Sequence, residues 1–198
     1  MNPILSICIP TVYGREDSFN KLITEINKQI SELKAELKVE VIIEKDNKEI
    51  SIGKKRNNMY LKCNGEYSVQ IDDDDMIASD YINEVLKAAD LDKDCITYIE
   101  HCNIDGQYSR SLFSTNFPKW MDLIIPVNDC VRVRTPFFKT PIKTDLCKLI
   151  KVKDMRYAED IDFSERIYPF LKTETFINKE MYFYQYKKTD HNTRYGIK

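Results

Sequence analysis

Hydrophobic and polar residues follow two alternating spacings through the first half of the chain. A period of two, rich in β-branched residues, predicts strands, and apolar positions three and four apart predict amphipathic helices. The strands are predicted over residues 4–9, 39–43, 67–71 and 95–99, and the helices over 19–37, 51–62 and 78–89. The resulting order, β-α-β-α-β-α-β, is typical of an α/β half whose ligands bind at the carboxyl ends of its strands.

Local sequence signals predict where three of these elements begin or end. Pro10 should end the first strand, because proline lacks the amide hydrogen that a strand interior needs. Asp17 or Ser18 should cap the first helix, and Ser79 stands at the expected N-cap of the third. The loops that carry chemistry are therefore expected directly after the strands.

The second half of the sequence has a weaker periodicity. Residues 159–171 are predicted to be helical, and residues 174–177 and 181–186 are predicted to be strands. Residues 103–134 mix both patterns. The chain has 198 residues, which suits one domain with a sizeable core, so we expect a single domain over residues 1–198.

Composition and charge argue against several classes of protein. The chain is 42% hydrophobic and 31% charged with a formal net charge of -2, so no global charge points to nucleic acid. It has no apolar run near the ~20 residues of a membrane span and no basic leader, so we expect a cytoplasmic protein without a transmembrane segment. The six cysteines include no C-x-x-C pair and are expected to be reduced core residues.

Four consecutive aspartates, Asp72 to Asp75, follow the third predicted strand. Adjacent carboxylates repel each other by roughly a few kcal/mol, and Ser79 already supplies a helix cap, so we expect a positive group at this corner. Mg²⁺ and Mn²⁺ take oxygen ligands and commonly bind through one or two carboxylates plus substrate phosphates. A solvated acidic turn is the alternative, whereas the spacing does not fit an EF-hand calcium loop.

The order of several motifs resembles that of glycosyltransferases with the GT-A fold, most closely those of family 2. SICIPT, residues 6–11, is similar to the family's first strand, and VEVIIEKDN, residues 39–47, resembles its second. GKKRNNMYLKCNGEYSVQIDDDD, residues 53–75, resembles the stretch that ends in the family's Asp-x-Asp motif. The resemblance covers most of residues 4–100 and returns near residues 156–192.

This resemblance implies a particular fold and division of the chain. The fold would be α/β, of the GT-A (nucleotide-diphospho-sugar transferase) type, with a mostly parallel central sheet flanked by helices. Residues 1–100 would bind the nucleotide sugar, and residues 101–198 would bind the acceptor.

The resemblance also implies roles for residues of the donor site. Asp74 would bind the metal, Mn²⁺ or Mg²⁺, and Asp72 would complete the Asp-x-Asp pair. The metal would bridge the two phosphates of a nucleoside-diphosphate sugar, with UDP as the expected nucleotide. The implied donor contacts are Pro10 and Thr11 beside the base, Asp46 on the uracil, Arg56 near the nucleotide, and Asp72 and Asp73 on the ribose or the sugar.

A second acidic cluster, residues 155–167, resembles the family's Glu-Asp motif at the start of a helix beneath the acceptor site. Asp160 matches the base that takes the acceptor's hydroxyl proton in an inverting transfer, and Glu159 is the fallback. The structural alternative is that the helix dipole favours acids in any first turn. His191 in the tail matches a third metal ligand, with an exposed tail histidine as the alternative.

The sequence also leads to expectations for several other charged residues. Asp75 is expected to tune the site or to face solvent, and Lys54 and Lys55 are expected to be solvated. Arg132 and Arg134 alternate on a predicted strand, and Lys139 and Lys143 follow them. They form either a basic face for a phosphate-bearing or nucleic-acid acceptor or, as we expect, part of a solvated edge strand.

The sequence thus predicts a metal-dependent inverting glycosyltransferase that moves a sugar from a UDP-sugar to a hydroxyl acceptor. The acceptor is not specified; saccharide, protein and modified nucleic acid all stay open. One alternative is a sugar-phosphate nucleotidyltransferase, although PTVYGRED has one glycine where such enzymes carry a glycine-rich loop. The other alternative is a protein that binds nucleotide sugars without turnover.

Overall fold

A ten-stranded mixed sheet with helices packed against it forms the centre of the molecule. The structure is a computed structural model, and it describes residues 2–186. The strands are β1 (Leu5–Val12), β2 (Val39–Asp46), β3 (Tyr67–Gln70), β4 (Met76–Ile77), β5 (Cys95–Ile104), β6 (Gln107–Phe113), β7 (Met121–Ile125), β8 (Cys130–Arg134), β9 (Ile142–Lys143) and β10 (Glu174–Tyr186). The helices are α1 (Glu16–Leu33), α2 (Ile52–Lys62), α3 (Tyr81–Ala89), α4 (Thr144–Ile150) and α5 (Glu159–Ile167), with 3-10 turns at Pro126–Asn128 and Tyr168–Phe170.

The strands lie in the order β2-β1-β3-β9-β5-β6-β8-β7, and β10 pairs with β5 and β4. β1 is parallel to β2 and β3, β5 is parallel to β10, and β6 is parallel to β8. Most of the paired residues lie in these parallel ladders, and the short strands β4, β7 and β9 pair antiparallel. The predicted α/β fold, a mostly parallel central sheet flanked by helices, is confirmed.

Pro10 does not end β1, which continues to Val12. β1 pairs with β3 only as far as Cys8, whereas it pairs with β2 along its whole length. Beyond Cys8 one edge of β1 has no partner strand, so a residue without an amide hydrogen is tolerated there. The extension brings Thr11 to the edge of the sheet where ligands are expected to bind.

The predicted helix caps are also displaced. α1 begins at Glu16, so Asp17 and Ser18 lie inside its first turn. α3 begins at Tyr81, two residues after Ser79, because β4 pairs with β10 and keeps the preceding chain extended. The capping signals therefore identified the helices but missed their first residues by one to three positions.

Residues from the second half complete the sheet. The two strands predicted over 174–177 and 181–186 are one continuous strand, β10, whose ladder with β5 is interrupted by bulges. The helix predicted over 159–171 ends at Ile167, because Pro169 follows and the chain tightens into a 3-10 turn. α4 has no counterpart in the prediction, since its seven residues are too short for a clear helical period.

Gly53 lets α2 approach the loop that precedes α5. Gly53 N donates to Met155 O at 3.0 Å, and an added Cβ would lie 1.9 Å from the carbonyl oxygen of Lys153. A larger residue would force one of the two backbones to move. This contact fixes the beginning of α2 against the segment that leads into α5.

The core takes side chains from both halves of the chain, among them Ile7, Val69, Tyr98, Phe138 and Phe163, each 1% exposed or less. All six cysteines are buried and unpaired, which confirms the prediction that they are core residues. Within residues 2–186, no helix is both long and apolar enough to cross a membrane.

Candidate functional site

A cleft of about 670 Å³ opens beside the carboxyl ends of β1 and β3 and the start of α5. Its wall continues onto β5, β6 and β8 in the second half of the chain. The predicted site residues that line it are Pro10, Thr11, Arg56, Asp72, Asp73, Asp74, Glu159 and Asp160. The cleft therefore lies at the edge of the sheet where α/β proteins bind their ligands.

The four aspartates form one β-turn directly after β3. Asp75 N donates to Asp72 O at 3.0 Å, which closes the turn. Three cations of the protein, Arg15, Arg56 and Lys139, lie against the four side chains. The expectation of a positive group at this corner is confirmed, and the protein itself supplies these three charges.

Arg56 joins this turn to the second acidic cluster and is only 4% exposed. Its Nη2 donates to Asp72 Oδ1 at 2.7 Å, and its Nε donates to Glu159 Oε1 at 3.3 Å. Its Nη1 donates to Gln70 Oε1 at 3.3 Å, and its guanidinium carbon lies 3.8 Å from the centre of the Phe138 ring. One buried cation therefore connects the turn after β3 with the first turn of α5.

The two carboxylates that share Arg56 have opposite pKa shifts. At Asp72, burial opposes ionisation, but the charges of Arg56 and Lys139 outweigh it and hold the pKa below its usual value. At Glu159, burial outweighs the charge of Arg56 and raises the pKa. Burial acts to lower the pKa of Arg56, but the charges of Asp72 and Glu159 raise it above its usual value. Asp72 is therefore the more readily ionised partner of a permanently charged arginine.

Asp73 and Asp74 occupy different depths. Asp73 is 1% exposed; Thr11 Oγ1 donates to its Oδ2 at 2.7 Å, and Arg15 Nη1 donates to its Oδ1 at 2.5 Å. Burial raises the pKa of Asp73, with Arg15 acting in the opposite direction. Arg15 Nη2 also lies 3.7 Å from Asp74 Oδ2, and the Asp74 side chain is 25% exposed in the cleft. Asp73 thus anchors the turn, and Asp74 faces the cleft.

Asp75 is buried, so the expectation that it faces solvent is wrong. Lys139 Nζ donates to Asp75 Oδ2 at 3.1 Å, and the Tyr182 hydroxyl donates to the same oxygen at 2.7 Å. Gln185 N donates to Asp75 Oδ1 at 3.0 Å, and Lys139 also lies 3.5 Å from Glu100. Burial raises the pKa of Asp75 to about 7, against the opposing charge of Lys139. These contacts tie the turn to β10 and β5.

Asp46 ends β2 and is ion-paired with Lys55, which is 3% exposed. Lys55 Nζ also donates to Thr11 O at 2.7 Å, so it holds the ends of β1 and β2 together. The expectation of a solvated Lys55 is wrong, because α2 turns this side chain back toward the sheet, whereas Lys54 is exposed as expected. Burial acts to raise the pKa of Asp46, but the hydrogen bonds from Lys55, Ile50 and Lys48 together outweigh it and lower the pKa.

Glu159 and Asp160 form the first turn of α5 but have different surroundings. Glu159 is buried against Arg56, and Asp160 is half-buried at the cleft. Asp160 Oδ1 accepts a hydrogen bond from Ile161 N at 2.9 Å, as acids at helix N-termini commonly do. Both acids therefore border the cleft, but no described cation lies within 4 Å of Asp160.

The predicted metal site can be tested against the residues that are present. Asp72 and Asp74 both line the cleft and are each 25% exposed, whereas Asp73 and Asp75 are enclosed by protein donors. Within residues 2–186, no three His, Cys, Asp or Glu side chains are grouped to hold a metal ion. This donor set fits Mg²⁺ or Mn²⁺ bound by one or two carboxylates and completed by substrate phosphates. His191 lies outside the described residues.

Arg132 and Arg134 are not on an edge strand, contrary to expectation. β8 lies between β6 and β7, and both arginines are half-buried and line the cleft. The sequence alternation was correct, but it does not reveal that β7 covers the outer side of β8. The wall opposite the aspartates is therefore basic.

Three residues of the site had no part in the sequence-based prediction: Arg15, Gln70 and Glu100. Arg15 follows the first strand in a short loop, and a basic residue in that place is a usable signal. Lys139 was expected with Arg132 and Arg134 on a solvated edge, and this is wrong: it is buried between Asp75 and Glu100, which are distant from it in sequence.

Comparison with known proteins gives structural relatives. No family model matches the sequence, and no curated protein matches it. The structure is similar to that of S. aureus TarS 1-349 in complex with UDP-GlcNAc, with a TM-score of 0.63, 16% identity, and coverage of 91% of this chain and 58% of that one. The complex of TarS 1-349 with UDP gives a TM-score of 0.63 and 16% identity over 96% of this chain and 62% of that one.

The chain has a glycosyltransferase fold. The match extends over nearly all of the chain, including the half for which the sequence resemblance was thin. The chain spans about 60% of the length of TarS 1-349 and 36% of the length of the longer TarS structure, to which it is 15% identical with a TM-score of 0.61.

The buried ion pairs of Lys139 lead to a prediction about stability. Lys139→Met should lower the free energy of unfolding by about 3–5 kcal/mol, because it leaves Asp75 and Glu100 without their buried cation. Lys143→Met is the matched control, since its partners Glu66 and Asp92 are exposed, and it should cost about 1 kcal/mol or less. Urea unfolding measures both variants, and equal losses would contradict the assignment.

Proposed function

We propose that the chain is a family-2-like GT-A glycosyltransferase that transfers a sugar from a UDP-sugar to a hydroxyl acceptor, with inversion at the anomeric carbon and with Mn²⁺ or Mg²⁺. One observation carries the proposal. Arg56 holds an Asp-x-Asp turn and a Glu-Asp helix start against each other at a cleft beside the carboxyl ends of the strands. The fold supports it, since structures of that fold are complexes with UDP-GlcNAc and UDP.

The donor nucleotide would bind beside β1 and β2. Pro10 and Thr11 border the cleft there, and Lys55 ties Thr11 to Asp46. Asp46 is not among the residues that line the cleft; it would accept a hydrogen bond from the uracil ring in addition to those from Lys55 and Ile50, which help to lower its pKa. Arg15, which is held by Asp73, would stand near the phosphates. Both oxygens of Asp73 already accept hydrogen bonds, from Thr11 and Arg15. Asp73 would therefore contribute to ribose binding by positioning these two residues.

The diphosphate would bind at the cleft side of the aspartate turn. Asp74 and Asp72 are the residues that would hold a divalent cation. When bound, the cation supplies Lewis-acid stabilisation of the departing diphosphate. The ion pairs of Arg15, Arg56 and Lys139 hold the turn in place, so its carboxylates need little rearrangement when the donor binds.

The chemical step would use Asp160 as the base. Asp160 faces the cleft and has no cation within 4 Å in the described part of the chain, whereas Glu159 is buried against Arg56. The acceptor hydroxyl would give its proton to Asp160 while its oxygen bonds to the anomeric carbon. The bond between that carbon and the diphosphate breaks, and UDP leaves with the electron pair. Glu159 would position the helix start through Arg56.

The two alternatives make different demands on the site. A sugar-phosphate nucleotidyltransferase needs donors for a triphosphate after β1, but the short loop from Val12 to Glu16 has one glycine, Gly14. A binding protein without turnover would not require Asp160 to line the cleft beside the aspartate turn, as it does here. We therefore favour glycosyl transfer over both alternatives.

Release of the nucleotide tests the metal site. With UDP-, GDP-, CDP- and TDP-sugars as donors, we expect UDP-sugar hydrolysis in Mn²⁺ or Mg²⁺ and none in EDTA. Asp74→Ala should lower this rate by about a hundredfold or more, because it removes a ligand of the cation that stabilises the leaving group. Asp90→Ala, at the exposed end of α3, is the control. Equal rates in EDTA would contradict metal dependence, and release of pyrophosphate from UTP and a sugar phosphate would favour the nucleotidyltransferase.

Asp160→Asn tests the base. The variant should bind UDP within about twofold of the original chain but hydrolyse the donor roughly 10²–10⁴-fold more slowly, since water needs the same base as the acceptor hydroxyl. Calorimetry measures the binding, and chromatography measures the released UDP. Glu165→Gln, exposed on the same helix, is the matched control. An unchanged hydrolysis rate in Asp160→Asn would show that Asp160 is not the base.

A further inference from the structure

Two arginines of β8 face the cleft from the side opposite the nucleotide end. Arg132 and Arg134 are two residues apart on the strand, so they lie on the same face, and both line the cleft. Val133, between them, points the other way into a small core with Ile99 and Leu112. The strand therefore separates a hydrophobic face from a basic one.

Arg132 and Arg134 differ from Arg15 and Arg56, which also line the cleft, in having no carboxylate partner within 4 Å among the described residues. Arg15 and Arg56 form ion pairs with the aspartate turn. For Arg132 and Arg134, no carboxylate of residues 2–186 lies within 4 Å. Arg132 Nη2 donates to Ser109 Oγ at 2.7 Å, and Arg134 Nη1 donates to Val133 O at 3.1 Å. Neutral acceptors satisfy these bonds, but they do not offset the charges.

Burial makes the charge of Arg134 less favourable than it would be in water. Burial lowers the pKa of Arg134; the charge of Glu100 opposes this effect, the charge of Arg132 adds to it, and Asp122, the cross-strand neighbour of Arg132, opposes it. Two half-buried like charges on one face repel each other. An anion bound between them would offset this repulsion. A cleft charge that the fold compensates only in part, without a direct ion pair, is a common mark of a ligand site.

Trp120 holds one of the two guanidinium groups in place. The Arg134 guanidinium carbon lies 5.0 Å from the centre of the Trp120 ring, and Trp120 packs on Phe137 at 5.0 Å between ring centres. The Trp120 Nε1 donor is buried and has no acceptor in the described part of the chain. An arginine stacked on a ring keeps its N–H edge available, and that edge matches two oxygens of a phosphate.

The position of the arginines separates them from the donor's diphosphate. In the sheet, β8 lies four strands from β3, which leads into the aspartate turn. At roughly 4.8 Å per strand this is about 19 Å, with Glu100 of β5 in between. A diphosphate held at the turn would therefore not contact these arginines. They would contact another part of the bound molecules.

We propose that Arg132 and Arg134 bind a phosphate group of the acceptor, so that the sugar is transferred to a hydroxyl of a small phosphorylated molecule. The inference rests on the proposed function, because it takes the aspartate end of the cleft to be the donor site. Nucleic acid is disfavoured, because it is commonly held by some 6–10 phosphate contacts, whereas this wall offers two arginines beside the acidic Glu100.

Trp120 provides a direct test, because it is the one tryptophan in the sequence and it contacts Arg134. Glycerol 3-phosphate is titrated into the full chain while tryptophan fluorescence is recorded, with glycerol as the uncharged control. We expect a saturable change with glycerol 3-phosphate and none with glycerol. Arg132→Gln and Arg134→Gln should each weaken binding by about tenfold or more, and Arg132→Lys should weaken it less. Arg110→Gln, on neighbouring β6 and outside the cleft lining, should leave it unchanged.

Three outcomes would overturn the proposal. The first is binding that survives both glutamine variants, with their folding verified by circular dichroism. The second is displacement of glycerol 3-phosphate by UDP, which would assign the arginines to the donor. The third is tighter binding of an oligonucleotide with a steep salt dependence, which would make the acceptor a nucleic acid. UDP binding is measured separately by calorimetry, so loss of the donor site is distinguished from loss of the phosphate site.

Discussion

The buried guanidinium of Arg56 is the interaction on which the arrangement of the site depends. It is reached by Asp72 from the turn after β3 and by Glu159 from the start of α5, and the Phe138 ring covers it. A buried cation is stable only with its counter-charges in place, so each acidic segment fixes the other through it. Gly53 reinforces this link, because it lets α2, which carries Arg56, approach the segment before α5.

The aspartate run is stable because the turn distributes its charges. Each carboxylate points in its own direction, and Arg15, Arg56 and Lys139 stand against them. Asp73 and Asp75 are buried and accept hydrogen bonds from other parts of the protein, whereas Asp72 and Asp74 line the cleft. Two acids thus hold the turn so that two others face the cleft, which explains why four aspartates lie together at one corner.

Sequence alone predicted the parts of this fold that depend on local patterns. The strand–helix alternation and the aspartate corner follow from periodicity and from charge, and both agree with the structure. The burial of Lys55 and Lys139 was missed, because their partners come from distant strands and long charged side chains are usually exposed. Likewise, β8 reads as an edge strand until the position of β7 is known. Pairing between distant segments is what local patterns do not contain.

The most direct test of the link through Arg56 is a double-mutant cycle of Asp72→Asn and Glu159→Gln, followed by urea unfolding. Asp72 and Glu159 have a common partner, so their losses of unfolding free energy should be non-additive by about 1 kcal/mol or more. Losses that add within about 0.5 kcal/mol would mean that the two acidic segments are held independently and would contradict the account.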